Sequence, residues 1–162
     1  MTLLVRHAMT EAPKTLSPDR NAGDAAGLMA HYDIGSVPVV EGSQVVGIVT
    51  DRDLVVRVVA KRRDPNEVHL DEILTRSVAT VSPDAELAQA REVMEREKVR
   101  RLPVVKDDAI VGVLSLGDVA VALASKREVG RTLEEISESE STSELNDGPA
   151  IGTPSDARGL SS

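Results

Sequence analysis

An internal repeat with a period of 65 residues narrows the fold more than any other feature of this chain. Shifted by that amount without gaps, residues 15–54 fall on residues 80–119, and 12 of the 40 aligned positions are identical. They are Thr15, Ser17, Pro18, Asp19, Ala25, Met29, Pro38, Val39, Val40, Val46, Gly47 and Asp53. Ordinary residue usage would match about one aligned position in fifteen. The chain is therefore duplicated, and each half alone is too small to bury its apolar faces.

Within each half the pattern reads strand, helix, two strands, helix. Lys14-Thr15-Leu16 and Ala79–Val81 read as short strands. Ser17-Pro18-Asp19 and Ser82-Pro83-Asp84 carry the hydroxyl, proline and acid of a helix start. In the helices that follow, Ala22, Ala25, Ala26 and Met29, then Leu87, Ala90, Val93 and Met94, form apolar stripes at helical spacing. The first helix is expected to end near His31-Tyr32, with Gly35 as the break. Val37–Val40 with Gln44–Val49, and Leu102–Val105 with Ala109–Leu114, read as hairpins around Glu41-Gly42-Ser43 and Asp107-Asp108. Pro38 places its strand at an edge or a start. Thr50 to Ala60 reads as a helix with Leu54, Val55, Val58 and Val59 on its apolar side. Its many β-branched residues require packing, not propensity, to hold it.

The halves span 3–60 and 70–123, joined by a charged connection over 61–69. A charged helix is expected over 124–136, weakened by Gly130. Beyond it, 137–162 is Ser/Glu-rich and then Gly/Pro-rich, and reads as a disordered acidic tail.

Each half ends on the same junction, Gly47-Ile48-Val49-Thr50-Asp51-Arg52-Asp53-Leu54 and Gly112-Val113-Leu114-Ser115-Leu116-Gly117-Asp118-Val119. An apolar strand stops at a hydroxyl, and a carboxylate follows three residues later at the start of a helix. That pattern matches a capping box, in which both side chains satisfy first-turn backbone groups. It equally suits a nucleotide: free N–H groups at a helix start favour phosphate, and a carboxylate accepts both hydroxyls of a ribose. The two roles are compatible.

Composition removes other functions. The net charge of −8 and the absence of Trp and Phe, with Tyr32 the sole aromatic, argue against nucleic-acid binding. There is no cysteine for a disulfide, thiol nucleophile or Cys-ligated zinc. No apolar run approaches the roughly 20 residues of a membrane span, and the N-terminus lacks a signal-peptide pattern, so a soluble cytoplasmic protein is expected. His7, His31 and His69 lack ligand spacing, so no metal site is expected. No catalytic triad or paired-carboxylate pattern points to an enzyme.

The repeated order of elements, with V-P-V-V and then G-[IV]-[VL]-[TS]-x-x-D, resembles a tandem pair of CBS domains over residues 3–123. The T-D-R-D ending and the Asp64-Pro65-Asn66 linker are similar to those of small bacterial stand-alone CBS pairs, including the hypoxic response type. The resemblance implies an α/β (α+β) fold of two repeats, each β-α-β-β-α, packed about a pseudo-twofold axis. It implies a regulatory module without chemistry of its own, requiring no cofactor, that binds AMP, ADP, ATP or S-adenosylmethionine between its repeats. It assigns the ribose to Asp53 and Asp118, and phosphate to Thr50 and Ser115. The adenine falls near Thr15 and Thr80 and beside Val37-Pro38 and Leu102-Pro103, with Ile48 and Val113 in the same clefts. A homodimer through the helix faces is expected, and no membrane partner. Arg100-Arg101 stand where the first half has Gly35-Ser36, and an arginine fork suits phosphate. That difference favours the Ser115–Asp118 junction for the phosphorylated ligand. The alternatives are an unliganded dimerisation module and, less well supported, a nucleotide-processing enzyme.

Overall fold

In the computed structural model, which describes residues 2–76 and 78–144, each half is built on a bulged antiparallel hairpin. Strand β2 (Ser36–Glu41) pairs with β3 (Gln44–Thr50), and β4 (Arg101–Lys106) with β5 (Ala109–Ser115). The duplication extends to irregularities, because the register shifts between Val39 and Val40 and again between Val104 and Val105. The expected short strands around Thr15 and Thr80 reduce to single parallel bridges, Leu16 to Val39 and Val81 to Val104. The outer side of each proline-bearing strand thus meets one residue, and the missing N–H of Pro38 or Pro103 is tolerated there.

Helices α1 (Ala22–Tyr32) and α4 (Leu87–Glu97) cover the hairpins with Ala22, Ala25 and Met29, and with Leu87, Ala90 and Met94. Ala26, expected in the first stripe, is exposed. The helices also start later than Ser-Pro-Asp suggests. Ser17-Pro18-Asp19 forms a turn in which Arg20 N–H donates to the Ser17 carbonyl at 3.1 Å. Asn21 is the true cap, its Oδ1 accepting from Asp24 N–H at 2.8 Å. At the other end Asp33 (φ 52°), not Gly35, turns the chain out of the helix, and Lys98 (φ 55°) does the same in the second half.

The decisive feature is an exchange of opening segments. Val5, near the start of the first half, is fully buried among Val81, Leu87, Met94, Leu102 and Leu114 of the second. Its counterparts after the linker, on α3 (Leu70–Ile73) and at Leu74, fill the core of the first half with Met29, Val37, Val39, Val49 and Val58. The chain then crosses the receiving hairpin. Strand β1 (Thr10–Glu11) adds to β5, opposite Val113 and Gly112, and Thr75 bridges Ile48 in the same way. The result is a three-stranded sheet ordered β1-β5-β4 and a two-stranded sheet β2-β3.

This crossing explains the glycine in each junction. A Cβ on Gly47 would lie 2.5 Å from Leu74 Cδ1 and 2.6 Å from the Thr75 carbonyl. One on Gly112 would lie 2.8 Å from Met9 Sδ and 2.9 Å from the Thr10 carbonyl. Only hydrogen leaves room for the incoming backbone.

After the first junction, α2 (Asp51–Leu54) passes into a π-helical turn over Val55–Val59. Ala60 N–H reaches the Val55 carbonyl at 2.8 Å and Arg63 N–H the Val58 carbonyl at 3.0 Å. The wider turn breaks the expected apolar stripe. Val58 is buried and Leu54 packs on the core, but Val55 and Val59 are 57% and 67% exposed. After the second junction, α5 runs Leu116–Glu144. The compact unit holding both repeats closes at Leu123, and the helix beyond belongs to a second unit. That helix continues through Gly130 and into the stretch expected to be disordered; 145–162, the rest of that tail, lie outside the described residues. Among the described residues, no helix is long and apolar enough to cross a membrane.

Candidate functional site

Two clefts follow directly from the exchange. The first, of about 700 Å³, is lined by Ile48, Thr50 and Asp51–Asp53 of the first half. Its other wall is Thr75, Val78, Ala79 and Glu97–Arg101 of the second half. The second, of about 500 Å³, joins Val113, Ser115 and Asp118 to Thr10–Lys14, Tyr32–Ser36 and Pro38, and Arg101 reaches it too. The 65-residue shift carries nearly every lining residue of one cleft onto the other. Each junction therefore faces the opposite half of the chain.

The full capping box forms at the first junction, and at the second the serine cap forms with the acid bound to the serine hydroxyl. Asp53 Oδ2 accepts from Thr50 N–H at 2.9 Å and from its hydroxyl at 3.0 Å, while Asp53 N–H donates to Thr50 Oγ1 at 3.2 Å. The Ser115 hydroxyl donates to Asp118 Oδ2 at 2.6 Å and accepts from Asp118 N–H at 3.1 Å. One carboxylate oxygen at each site is thus held by the cap, which orients the acid. The other oxygen of Asp53 has Arg57 Nε at 3.7 Å. Arg57 also donates to the Ile73 carbonyl at 3.0 Å, tying this turn to the exchanged segment.

The clefts differ in charge. The Thr50–Asp53 cleft sets Arg52, Lys98, Arg100 and Arg101 against Asp51, Asp53 and Glu97. The Ser115–Asp118 cleft sets Lys14 and Arg101 against Glu11, Asp33 and Asp118. It also holds Tyr32, with the Lys14 ammonium 4.5 Å from the centre of its ring.

These positions revise the sequence expectation in several places. Ile48, Thr50 and Asp53 come together in one cleft, and Pro38, Val113, Ser115 and Asp118 in the other. Arg100 lines the Thr50–Asp53 cleft and not the Ser115–Asp118 cleft for which it was expected, although its backbone sits at the second junction, where its carbonyl accepts from Leu116 N–H at 2.8 Å. Val37 and Leu102 are fully buried in the two cores, since their side chains alternate away from the clefts. Pro103 is buried, and Thr15, Thr80 and Pro103 line neither cleft; their neighbours Lys14 and Ala79 do. Arg52, which is exposed, lies on the first cleft. Sequence reasoning missed Thr10, Thr75, Lys98 and Tyr32. The repeat offered a signal for them, since Tyr32 and Asp33 align with Glu97 and Lys98.

A third cavity, of about 590 Å³, is lined by Ser17, Asp19, Glu41, His69 and Asp71 among others. The Ser17 hydroxyl, donating to Asp19, holds that carboxyl below its ordinary range. None of the expected site residues reaches it. Among the described residues no group of three or more His, Cys, Asp or Glu side chains is placed to hold a metal ion.

Comparison with known proteins agrees with this architecture. The CBS domain family matches residues 5–60 and again 70–125. The chain is 35% identical over 133 residues to the CBS domain-containing protein YhcV of Bacillus subtilis, covering 82% of this chain and 94% of that protein. It is 34% identical over 97 residues to hypoxic response protein 1 of Mycobacterium tuberculosis, covering 59% of this chain and 68% of that one. Among solved structures, the hexameric CBS-CP12 protein from bloom-forming cyanobacteria superposes with a TM-score of 0.69 at 26% identity, over 75% of this chain and 72% of its own. With two matched repeats, exchanged opening segments and a cleft at each junction, the chain belongs to the CBS-domain family as a tandem pair.

Proposed function

We propose that this CBS pair senses an adenosine-containing ligand and passes its occupancy to a partner protein. One observation carries the reading. Each cleft brings a capped Thr/Ser–Asp junction from one half against the opening segment and helix end of the other, in 500–700 Å³. That volume lies in the range of small-molecule sites, roughly 300–1,000 Å³. A ligand there touches both halves, so binding biases their arrangement by a population shift. No bond-making step is assigned to either cleft.

The charge difference assigns ligands in the sense opposite to the sequence expectation. AMP, ADP or ATP fits the Thr50–Asp53 cleft, where Arg52, Lys98 and Arg100 oppose the phosphate charge. The Ser115–Asp118 cleft, with three acids and the Tyr32 ring, better suits a neutral or cationic adenosyl group such as S-adenosylmethionine. Calorimetric titration of AMP, ATP and S-adenosylmethionine tests this. Asp53→Ala should weaken the nucleotide and Asp118→Ala the adenosyl compound, each by about 10- to 100-fold, from ~1.5–3 kcal/mol per charged hydrogen bond. Equal binding by wild type and both variants would remove the ribose role. No binding by any of them would leave the unliganded dimerisation module.

The helix faces support self-association. Val55, Val56, Val59 and Val121 are 46–68% exposed on the repeat-bearing unit, and isologous burial would cover them. Sedimentation should show a dimer that Val59→Asp converts to monomer; a wild-type monomer at tens of micromolar, taken as an order of magnitude for a specific interface, would refute that surface.

A further inference from the structure

Among the described residues, Arg101 alone lines both clefts. Its backbone starts β4 beside Arg100, on the wall of the Thr50–Asp53 cleft. Its guanidinium reaches the backbone of Gly35, which lines the other cleft. A Cβ on Gly35 would lie 2.5 Å from Arg101 Nη2 and 3.2 Å from Asp51 Oδ2. The glycine is thus the slot through which the arginine crosses between the halves. The matching position in the first half is Ser36, which lines only the Ser115–Asp118 cleft. The two clefts therefore share one arginine, and its long side chain ends beside Gly35 in a guanidinium. Among the described residues it has neither a hydrogen bond nor an ion pair within 4.0 Å, so it remains free to serve either side.

Sharing is unequal. Without Arg101 the Thr50–Asp53 cleft keeps Arg52, Lys98 and Arg100, whereas the Ser115–Asp118 cleft keeps Lys14 alone against three acids. We infer that Arg101 couples the clefts negatively and through phosphate: a phosphorylated ligand at Thr50–Asp53 recruits the guanidinium and weakens binding of a second phosphate at Ser115–Asp118. This rests on the adenosine-ligand reading above. It adds that the two occupancies are linked, and linkage makes the effect reciprocal. An uncharged ligand, having no phosphate to recruit Arg101, should bind the two clefts independently.

Tyr32, the sole tyrosine, lines only the Ser115–Asp118 cleft, so 3-fluorotyrosine labelling of the full chain places one fluorine resonance there. AMP and adenosine would be titrated against that resonance, with calorimetry counting total sites. Closing the first cleft, by Asp53→Ala or by bulk with Ala79→Trp, should tighten AMP at Tyr32 about 5- to 10-fold, at the lower end of ordinary allosteric couplings. It should leave adenosine unchanged. In Arg101→Gln, which keeps most of the packing, AMP at Tyr32 should weaken about 10-fold and no longer respond to closing the first cleft. AMP binding at Tyr32 that ignores both closures, or a response that persists in Arg101→Gln, would overturn the coupling while leaving the adenosine-ligand reading in place. An absence of both heat and resonance shift with either ligand would overturn the nucleotide reading, and this inference with it.

Discussion

Leu70→Ala is expected to lower the unfolding free energy by about 2–5 kcal/mol, the range for truncating a fully buried leucine that leaves a cavity. Leu70 has no exposed surface and packs with Ile73 and Leu74 against Met29, Val39 and Val58 of the first repeat. In sequence it opens the second repeat. If each repeat folded on its own segment, residue 70 would belong to the other core and would not order the first hairpin. Urea denaturation of the full chain provides the measurement, with a lower midpoint at an unchanged slope. Amide exchange should also show β2 and β3 losing protection before β4 and β5. A cost below about 1 kcal/mol, or equal loss in both hairpins, would contradict the exchanged core. Leu133→Ala, at an exposed site on the continuing helix, serves as the control and should stay within about 0.5 kcal/mol.

Gly47→Ala should cost about 1–3 kcal/mol, as overpacking does where neighbours cannot withdraw. One obstacle is the Thr75 carbonyl, held by Ile48 N–H at 3.1 Å, while Thr75 N–H donates to the Ile48 carbonyl at 2.9 Å. Relief requires lifting Thr75 away, which breaks that bridge and moves one wall of the Thr50–Asp53 cleft. Nucleotide affinity should therefore fall along with stability, although residue 47 touches no ligand. Gly112→Ala meets the Met9 thioether at 2.8 Å and the Thr10 carbonyl at 2.9 Å, both less close than the 2.5 and 2.6 Å at Gly47. A methionine side chain can also swing aside, so the cost of Gly112→Ala should be the smaller of the two. Chemical denaturation and a thermal-shift series with AMP check both variants. A Gly47→Ala protein as stable as wild type would mean that the crossing backbone has room to spare.

How much was legible in the sequence can be judged residue by residue. The hairpins, the cores of α1 and α4, and the Thr50–Asp53 and Ser115–Asp118 caps all follow from short-range patterns. Alternation, helical spacing and capping act within a few residues and are copied twice. Errors arose where one signal had two local uses. Ser17-Pro18-Asp19 makes a turn as readily as a helix start, and Asn21 four residues on was the better cap. Gly35 read as a helix break, but Asp33 breaks the helix and Gly35 makes room for an arginine from the other repeat. Leu54, Val55, Val58 and Val59 read as one buried stripe at α-helical spacing; a π-helical turn changed that spacing and left Val55 and Val59 exposed.

By itself, the sequence determined that there are two equivalent halves, that each ends in a hydroxyl–carboxylate junction with a capping pattern, and that an arginine pair stands in the second half where the first has Gly35-Ser36. It could not determine which junction those arginines face. A 65-residue repeat states which residues are equivalent, not which are neighbours, and either pairing of junction with opening segment satisfies the same local patterns. Burial decided the question. Val5 and Leu70 each find their cavity in the opposite half, and the chain must then cross the receiving hairpin at the glycine of its second strand, Gly112 or Gly47. That crossing carries Arg100 to Thr50–Asp53 and leaves Arg101 between the two clefts.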